Sequence, residues 1–278
     1  MSTATSEVKH PDATPGSTNL AGVTALELVD VWKYFGAAAA VAGCTFSVDD
    51  AAVVGLIGPN GAGKSTVADL VSGFKHPDKG RVLFQGRDIT GQPPYRVARA
   101  GLVRTFQIAR VWPTLTVMEN ALVAAPDQGR EVIWKAFLTP RKLRAAESTD
   151  RVRARSLLEE FDLIGLKNDT AETLSGGQKR LLEFVRIMMA APRMVVLDEP
   201  MAGVNPVMAE RIVAGVRRLN AEGITVLMIE HNLEFVEEVC PRVVVMAVGA
   251  VIATGSMEEL RRHPEVIDAY LGGLAGGE

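Results

Sequence analysis

A strand, a glycine-rich loop and a helix follow one another in the first quarter of the chain. The apolar run Val53–Ile57 leads directly into the loop Gly58–Ser65. Val67, Leu70, Val71 and Phe74 then recur at helical spacing, which predicts a helix over 65–74. The loop fits G-x-x-x-x-G-K-[ST] at every fixed position. Its consecutive backbone N–H groups and the positive end of the helix dipole form a site for an anion. The segment therefore predicts a nucleotide phosphate site in an α/β fold.

Each position of this loop has an expected role. Lys64 can bridge β- and γ-phosphate oxygens, and the Ser65 hydroxyl suits Mg²⁺. An ordinary glycine-rich turn is the alternative, but a strand before the loop and a helix after it argue against that alternative. The predicted nucleotide-binding residues of the loop are Gly58, Asn60, Gly61, Gly63, Lys64, Ser65 and Thr66.

Two carboxylates end a second apolar strand, Met194–Leu197. Asp198 and Glu199 therefore emerge at the carboxyl edge of the sheet, where open α/β sheets bind ligands. We expect Asp198 to take part in binding Mg²⁺ and Glu199 to act as general base toward the attacking water. An acidic pair capping a helix is the alternative, and the phosphate loop favours the functional interpretation.

His231 and Gln107 are two further candidates. His231 follows the strand Ile224–Ile229, so it should reach the same sheet edge and contact either the γ-phosphate or the attacking water. Gln107 stands at the entry to a mainly helical stretch, where its amide can contact Mg²⁺ or water. A structural histidine and a surface glutamine are the alternatives.

The segment Leu174–Gln178 predicts a second anion site. Ser175, Gly176 and Gly177 offer a hydroxyl and bare backbone amides at the start of a helix, and Gln178 follows them. A chain that already holds ATP in one loop has no evident use for a second γ-phosphate site. We therefore expect these residues to contact the ATP of a second copy in a two-fold dimer. A simple helix cap is the alternative.

Composition narrows the class of protein. The chain has 278 residues, 47% hydrophobic and 5% aromatic, which suits an α/β layer fold. A net charge of −3 gives no global attraction to nucleic acid. The two cysteines fit neither a disulfide framework nor a metal motif, which indicates a reducing compartment. The longest uncharged stretch, fifteen residues, is shorter than the about 20 that a membrane-spanning helix needs.

Composition and hydrophobic periodicity divide the chain into distinct parts. Residues 1–22 are polar and rich in Ser, Thr and Pro, which predicts a flexible tail. Residues 23–275 are expected to form one domain with antiparallel strands near its start. A mainly helical part, at about 108–178, interrupts the α/β alternation.

These motifs, in this order, resemble the nucleotide-binding subunits of ABC transporters. The resemblance implies a P-loop NTPase core, a mixed sheet flanked by helices, with an N-terminal antiparallel β subdomain and an inserted α-helical subdomain. It also implies ATP and Mg²⁺ as cofactors and Leu174–Gln178 as the signature motif. In such families an aromatic residue stacks on adenine. Phe35 matches that position best, with Tyr34 as the second choice.

A finer resemblance is to the ATPases of branched-chain amino-acid importers. It rests on five segments: 104–107, 115–120, 199–206, 230–232 and 264–272. Asn205 stands where many ABC ATPases carry Asp, as in this subfamily. The alternatives are a lipid or lipopolysaccharide exporter ATPase, an importer of another small solute such as urea or amides, and a soluble ABC ATPase acting on ribosomes or DNA.

The resemblance also implies partners and a location. The expected partners are a second copy or a related ATPase subunit, transmembrane permease subunits and, indirectly, a solute-binding protein, without nucleic acid. The expected location is the cytoplasmic face of the inner membrane.

Overall fold

The computed structural model describes residues 23–105, 111–126 and 140–271. Ten strands lie in these ranges, in two sheets. The strands are β1 Thr24–Phe35, β2 Ala38–Asp49, β3 Val53–Ile57, β4 Lys79–Phe84, β5 Arg87–Asp88, β6 Leu102–Arg104, β7 Met194–Asp198, β8 Thr225–Ile229, β9 Arg242–Ala247 and β10 Ala250–Gly255.

The larger sheet has the strand order β10-β9-β3-β8-β7-β6, and all of its neighbours are parallel except β10 and β9. The smaller sheet is antiparallel, with the order β2-β1-β4-β5. Strands β3, β7 and β8 are buried along their whole length, as expected for parallel strands covered on both faces.

Nine α-helices lie in the described ranges: α1 Lys64–Val71, α2 Pro94–Ala100, α3 Val117–Val123, α4 Pro140–Glu160, α5 Gly176–Ala190, α6 Pro206–Ala221, α7 Leu233–Val239, α8 Met257–Leu260 and α9 Pro264–Leu271. Two short 3₁₀ turns, Ile164–Leu166 and Ala171–Thr173, precede α5. Within these ranges no helix combines the length and the apolar character that a membrane span requires.

The larger sheet separates two apolar cores, because successive residues of a strand point to opposite faces. On one face Val195 and Leu197 pack with α5, α6 and α7, and this core extends to α3 and α4. On the other face Val196 packs with α1 and with the antiparallel sheet, through residues such as Leu28 and Phe84. The sheet thus supports the helical part on one side and the β subdomain on the other.

The predicted α/β class, with its mixed sheet, antiparallel β subdomain and helical subdomain, is confirmed. The helix after the glycine-rich loop is shorter than its periodicity indicates. It ends at Val71 rather than near Phe74, because Gly73 takes a left-handed conformation (φ 77°) and the Ser72 hydroxyl donates back to the Ala68 carbonyl. The division into a tail, 1–22, and a domain, 23–275, stays a prediction, and the tail lies outside the described residues.

Candidate functional site

The strand order brings the predicted site residues to one edge of the larger sheet. Strands β6, β7, β8 and β3 are consecutive neighbours and parallel, so their carboxyl ends lie side by side. Asp198 pairs with Ile229 in register, and so does Leu56 of β3. The loop after β3, the carboxylates after β7 and His231 after β8 therefore share this edge.

The loop between β3 and α1 has no room for side chains at two of its glycines. A Cβ atom on Gly58 would lie 2.1 Å from the Met246 carbonyl oxygen, and one on Gly63 would lie 2.4 Å from the Ala40 carbonyl oxygen. Gly63 also begins α1 with a left-handed conformation (φ 98°). The backbone of the loop is thus pressed against the β9–β10 hairpin and β2, and its path is fixed by packing.

The ammonium of Lys64 lies over this loop. Its Nζ donates to the carbonyl oxygens of Gly58 at 2.7 Å and Pro59 at 3.0 Å. Burial lowers the pKa of Lys64, while the charges of Glu199 and Asp198 act in the opposite direction. Both carboxylates are therefore within electrostatic range of the lysine. An anion placed at the loop would favour the charged form of Lys64 further.

Asp198 is a buried carboxylate held by β6. Its Oδ2 accepts a hydrogen bond from Arg104 Nη2 at 2.8 Å, and its backbone N–H donates to Thr105 Oγ1 at 3.1 Å. The other terminal nitrogen of Arg104 donates to Asp69 Oδ1 on α1. Sequence reasoning did not assign a role to Arg104. The only available signal was its position at the end of a short strand before Thr105.

Glu199 and His231 lie beside each other at the same edge. Glu199 has a left-handed backbone (φ 46°), which is uncommon for a residue with a side chain, and its N–H donates to the Ile229 carbonyl at 2.9 Å. His231 Nδ1 lies 3.9 Å from Glu199 Oε1, and its side chain is 64% exposed. The two groups can therefore act on the same water or phosphate oxygen.

The donor set near Lys64 fits Mg²⁺. Ser65 offers a hydroxyl in the first turn of α1, and Asp198 offers a carboxylate at the end of β7. Mg²⁺ is commonly bound through one or two protein oxygens with water and phosphate oxygens completing the octahedron. Within the described ranges no group of three or more His, Cys, Asp or Glu could hold a metal ion by itself. Gln107, the third predicted ligand, lies outside the described residues.

The two adenine-stacking candidates differ in exposure. Phe35 is 49% exposed, and the Nζ atoms of Lys33 and Lys75 lie 5.9 and 5.7 Å from its ring centroid. Tyr34 instead stacks on Trp32, with ring centroids 6.0 Å apart. The ring of Phe35 is thus available to a ligand, whereas the ring of Tyr34 already has an aromatic partner.

Ser175 caps helix α5. Its Oγ accepts from the Gln178 N–H at 3.3 Å, and Gln178 Oε1 accepts from the Ser175 N–H at 2.9 Å, which is a capping box. Ser175 and Gly176 are exposed, and a Cβ atom on Gly176 would meet nothing within 4 Å. A Cβ on Gly177 would lie 3.1 Å from Met208. The N-terminus of α5 is therefore open to a partner on the side of Gly176, while the Gln178 side chain is held in the capping box.

A groove lies between β6 and the helical part. Its volume is about 500 Å³. The Arg186 guanidinium lies 4.2 Å from the centroid of the Trp112 ring at this groove. The residues that line the groove include Val103, Thr105, Val111, Trp112, Ala124 and Arg186. The groove is mostly apolar, and Thr105, the residue directly after β6, is part of its lining.

A phosphate loop, a neighbouring Asp-Glu pair and a histidine in the loop after the next strand define a nucleotide-binding α/β protein. The ABC transporter family model matches residues 41–202, more than half of the chain. The chain belongs to the ABC transporter family. A second model, described as branched-chain amino acid ATP-binding cassette transporter, matches residues 250–275.

Individual relatives are similar in sequence to this chain over about nine-tenths of its length. The high-affinity branched-chain amino acid transport ATP-binding protein BraF of Pseudomonas aeruginosa is 40% identical over 89% of this chain and 97% of its own. The probable branched-chain amino acid transport ATP-binding protein LivG of Archaeoglobus fulgidus is 37% identical over 89% of this chain and 95% of its own.

Solved structures give the same result. A nucleotide-free ATP-binding cassette of an ABC transporter has a TM-score of 0.74 and 37% identity, covering 89% of this chain and 98% of its own. The ADP conformation of an ATP-binding cassette has a TM-score of 0.72 and 35% identity, covering 90% of this chain and 99% of its own. The predictions of an ABC ATP-binding subunit and of an ATPase are confirmed. The roles of individual site residues stay predictions.

Proposed function

We propose that this chain is the ATP-hydrolysing subunit of a transporter that imports branched-chain amino acids. The observation that carries the proposal is the match of the branched-chain amino acid cassette model to residues 250–275, beyond the general ABC model. Relatives with 37–40% identity over about nine-tenths of the chain carry the same substrate in their names. The Asn205 position and the 264–272 segment support the same substrate class.

The sheet edge supplies the chemistry of hydrolysis. Loop amides and Lys64 bind the phosphates, with Asn60, Gly61 and Thr66 as neighbouring contacts. Glu199 takes the proton of the attacking water, and His231, 3.9 Å away, orients the water or the γ-phosphate. Ser65 and Asp198 would hold Mg²⁺, which would supply positive charge for the phosphate oxygens.

The exposed start of α5 supports a dimer. Ser175 and Gly176 face solvent and can receive the γ-phosphate of ATP held by a second copy or a related subunit. In such a dimer each ATP lies between the phosphate loop of one subunit and the α5 N-terminus of the other. ATP binding closes the dimer, and hydrolysis opens it.

The groove between β6 and the helical part is the proposed contact with the permease. It is mostly apolar, about 500 Å³ in volume, and adjoins the end of β6, whose Arg104 bonds Asp198. A permease segment seated there would sense changes at the nucleotide site. The subunit would then lie on the cytoplasmic face of the membrane, bound to permease subunits and indirectly to a solute-binding protein.

Co-purification and transport assays test this proposal. A tagged chain is expressed from its native locus, and the membrane proteins that co-purify with it are identified and reconstituted in proteoliposomes. We expect ATP-dependent uptake of leucine, isoleucine or valine, together with a matching solute-binding protein. Uptake of urea or amides but not of these amino acids, or outward movement of lipid, would contradict the proposed substrate.

A further inference from the structure

Glu230, the residue directly after β8, is a fully buried carboxylate, with 0% exposure. It accepts three backbone hydrogen bonds. Its Oε1 accepts from the Met201 N–H at 2.9 Å, and its Oε2 accepts from the N–H groups of His231 at 3.0 Å and Asn232 at 3.3 Å. A buried carboxyl group without partners would be costly, and these three hydrogen bonds offset that cost.

These three donors belong to two different loops. Met201 lies two residues after Glu199, in the loop that leaves β7, whereas His231 and Asn232 lie in the loop that leaves β8. Asn232 then caps α7, since its Oδ1 accepts from the Phe235 N–H. The Glu230 side chain therefore joins the β7 loop, which carries the expected base Glu199, to the β8 loop, which carries His231.

The backbone of Glu199 needs such support. A left-handed conformation at a residue with a side chain costs energy and persists where the surroundings hold it. On one side the Glu199 N–H bonds the Ile229 carbonyl, and two residues later the Met201 N–H bonds Glu230. The end of β8 thus fixes the turn on both sides of Glu199.

A carboxylate suits this position better than an amide. All three neighbours are donors, and an ionised carboxylate has acceptor sites only. An amide would turn its NH₂ group toward at least one of these backbone N–H groups. Within the part of the chain that the structure describes, His231 is the one basic side chain within 4.0 Å, with Nδ1 3.8 Å from Glu230 Oε2.

We propose that Glu230 is a positioning residue for hydrolysis, which holds Glu199 and His231 in the relative placement that the water attack needs. This inference rests on the proposed roles of those two residues. The three hydrogen bonds that Glu230 accepts come from the β7 and β8 loops, whereas the phosphate loop follows β3. Glu230 therefore sets the turnover number and leaves ATP affinity nearly unchanged.

The test compares the E230Q variant of the full chain with wild type. ATP affinity is measured with a fluorescent ATP analogue, and turnover is measured by phosphate release. We expect kcat to fall about 10- to 100-fold, since displacement of catalytic groups by about 1 Å has effects of that order. The dissociation constant for ATP is expected to stay within about twofold of wild type, which is a difference in binding free energy of under about 0.5 kcal/mol.

T225V is the matched control. Thr225 is a fully buried polar residue at the opposite end of β8, where its Oγ1 accepts from the Ala51 N–H at 2.9 Å and donates to Asp50 Oδ1. The T225V substitution removes buried hydrogen bonds from the same strand without changing any residue of the site. If T225V lowers kcat as much as E230Q does, the effect is general destabilisation and the proposal is overturned.

A double variant tests whether Glu230 acts through His231 and the Glu199 loop. If it does, E230Q should add little to the loss already caused by H231A or E199Q, whereas independent effects would multiply. Full multiplication with both partners would overturn the proposal. If E230Q does not fold, E230D keeps the charge with a shorter reach and is judged by the same kcat and affinity criteria.

The same set of variants separates a failure of this inference from a failure of the proposed function. If E199Q and H231A lower kcat and E230Q does not, the positioning role alone fails. If E199Q and H231A both keep wild-type turnover, the roles proposed for the site fail, and the inference fails with them.

Discussion

The guanidinium of Arg104 joins two carboxylates of the site, Asp198 at 2.8 Å and Asp69 on α1. The Arg104 and Asp198 side chains are only 7% and 8% exposed. The arginine therefore ties the end of β7 to the helix that follows the phosphate loop. Burial raises the pKa of Asp69, but the hydrogen bonds from Lys75 and Arg104 outweigh it, and the pKa lies below the ordinary value.

Replacing Arg104 by methionine should destabilise the fold strongly. Removing one partner of a buried ion pair leaves an uncompensated charge, which costs about 3–5 kcal/mol. The free energy of unfolding in urea measures this. R155A is the control, because Arg155 and Glu159 form an exposed i,i+4 pair worth about 0.3–0.5 kcal/mol. A loss for R104M no greater than that of R155A would show that the buried pair is not stabilising.

Replacing Glu199 by glutamine should separate ATP binding from hydrolysis. The amide cannot accept the proton of the attacking water, and a general base contributes about 10²–10⁴ in rate. We expect phosphate release to fall by that order while the ATP dissociation constant stays near wild type. Undiminished turnover of the purified variant would remove Glu199 from the role of base.

The sequence was sufficient for the parts of the site that lie within one motif. The phosphate loop, its flanking strand and helix, and the Asp198–Glu199 pair are local patterns, so periodicity and spacing located them. The apolar strands also indicated the α/β class. The family resemblance favours Phe35 over Tyr34 as the stacking residue, and the greater exposure of Phe35 supports that prediction.

Long-range partners were not predictable in the same way. Arg104 bonds Asp69 and Asp198 across 35 and 94 residues of chain, and Glu230 bonds Met201 across 29. These contacts exist because β6, β7 and β8 are neighbours, and the strand order follows from packing rather than from local pattern. A buried charged residue beside a motif is recognised only when its partners are known.

Replacing Phe35 by alanine should weaken ATP binding through the base. Base–aromatic stacking contributes about 1–3 kcal/mol, or roughly 5- to 150-fold in the dissociation constant. Affinity for inorganic triphosphate, which has no base, should not change. F35W should bind ATP as wild type does. Stronger loss of ATP affinity in Y34L than in F35A would make Tyr34 the stacking residue instead.

Both cysteines should be unreactive in the folded chain. Burial raises the pKa of Cys44 and of Cys240 from 9.0 to about 12, so each thiol stays protonated at pH 8. The stability that this provides is complete below about pH 9 and declines as the pH rises toward 12. A disulfide reagent at pH 8 should titrate both thiols in denaturant and neither in the native chain. Rapid native reaction of either thiol would contradict its burial.

Substituting Ser175 by arginine should block hydrolysis while sparing ATP binding. The side chain would occupy the exposed start of α5, where the partner's γ-phosphate is expected, and the chain's own phosphate loop would remain intact. ATP affinity of the monomer and turnover of the dimer are the two measurements. Equal loss of both would argue that α5 contacts ATP within its own chain.

Mixing two inactive variants makes this test decisive. K64A lacks the phosphate-loop lysine but keeps Ser175, whereas S175R keeps Lys64. In a mixed dimer, the ATP held by the S175R chain faces the intact Ser175 of the K64A chain, so one complete site forms. We expect ATPase activity to reappear on mixing and to depend on total chain concentration, as an intermolecular site requires. No recovery, despite mixed dimers detected by cross-linking, would contradict a site shared between two subunits.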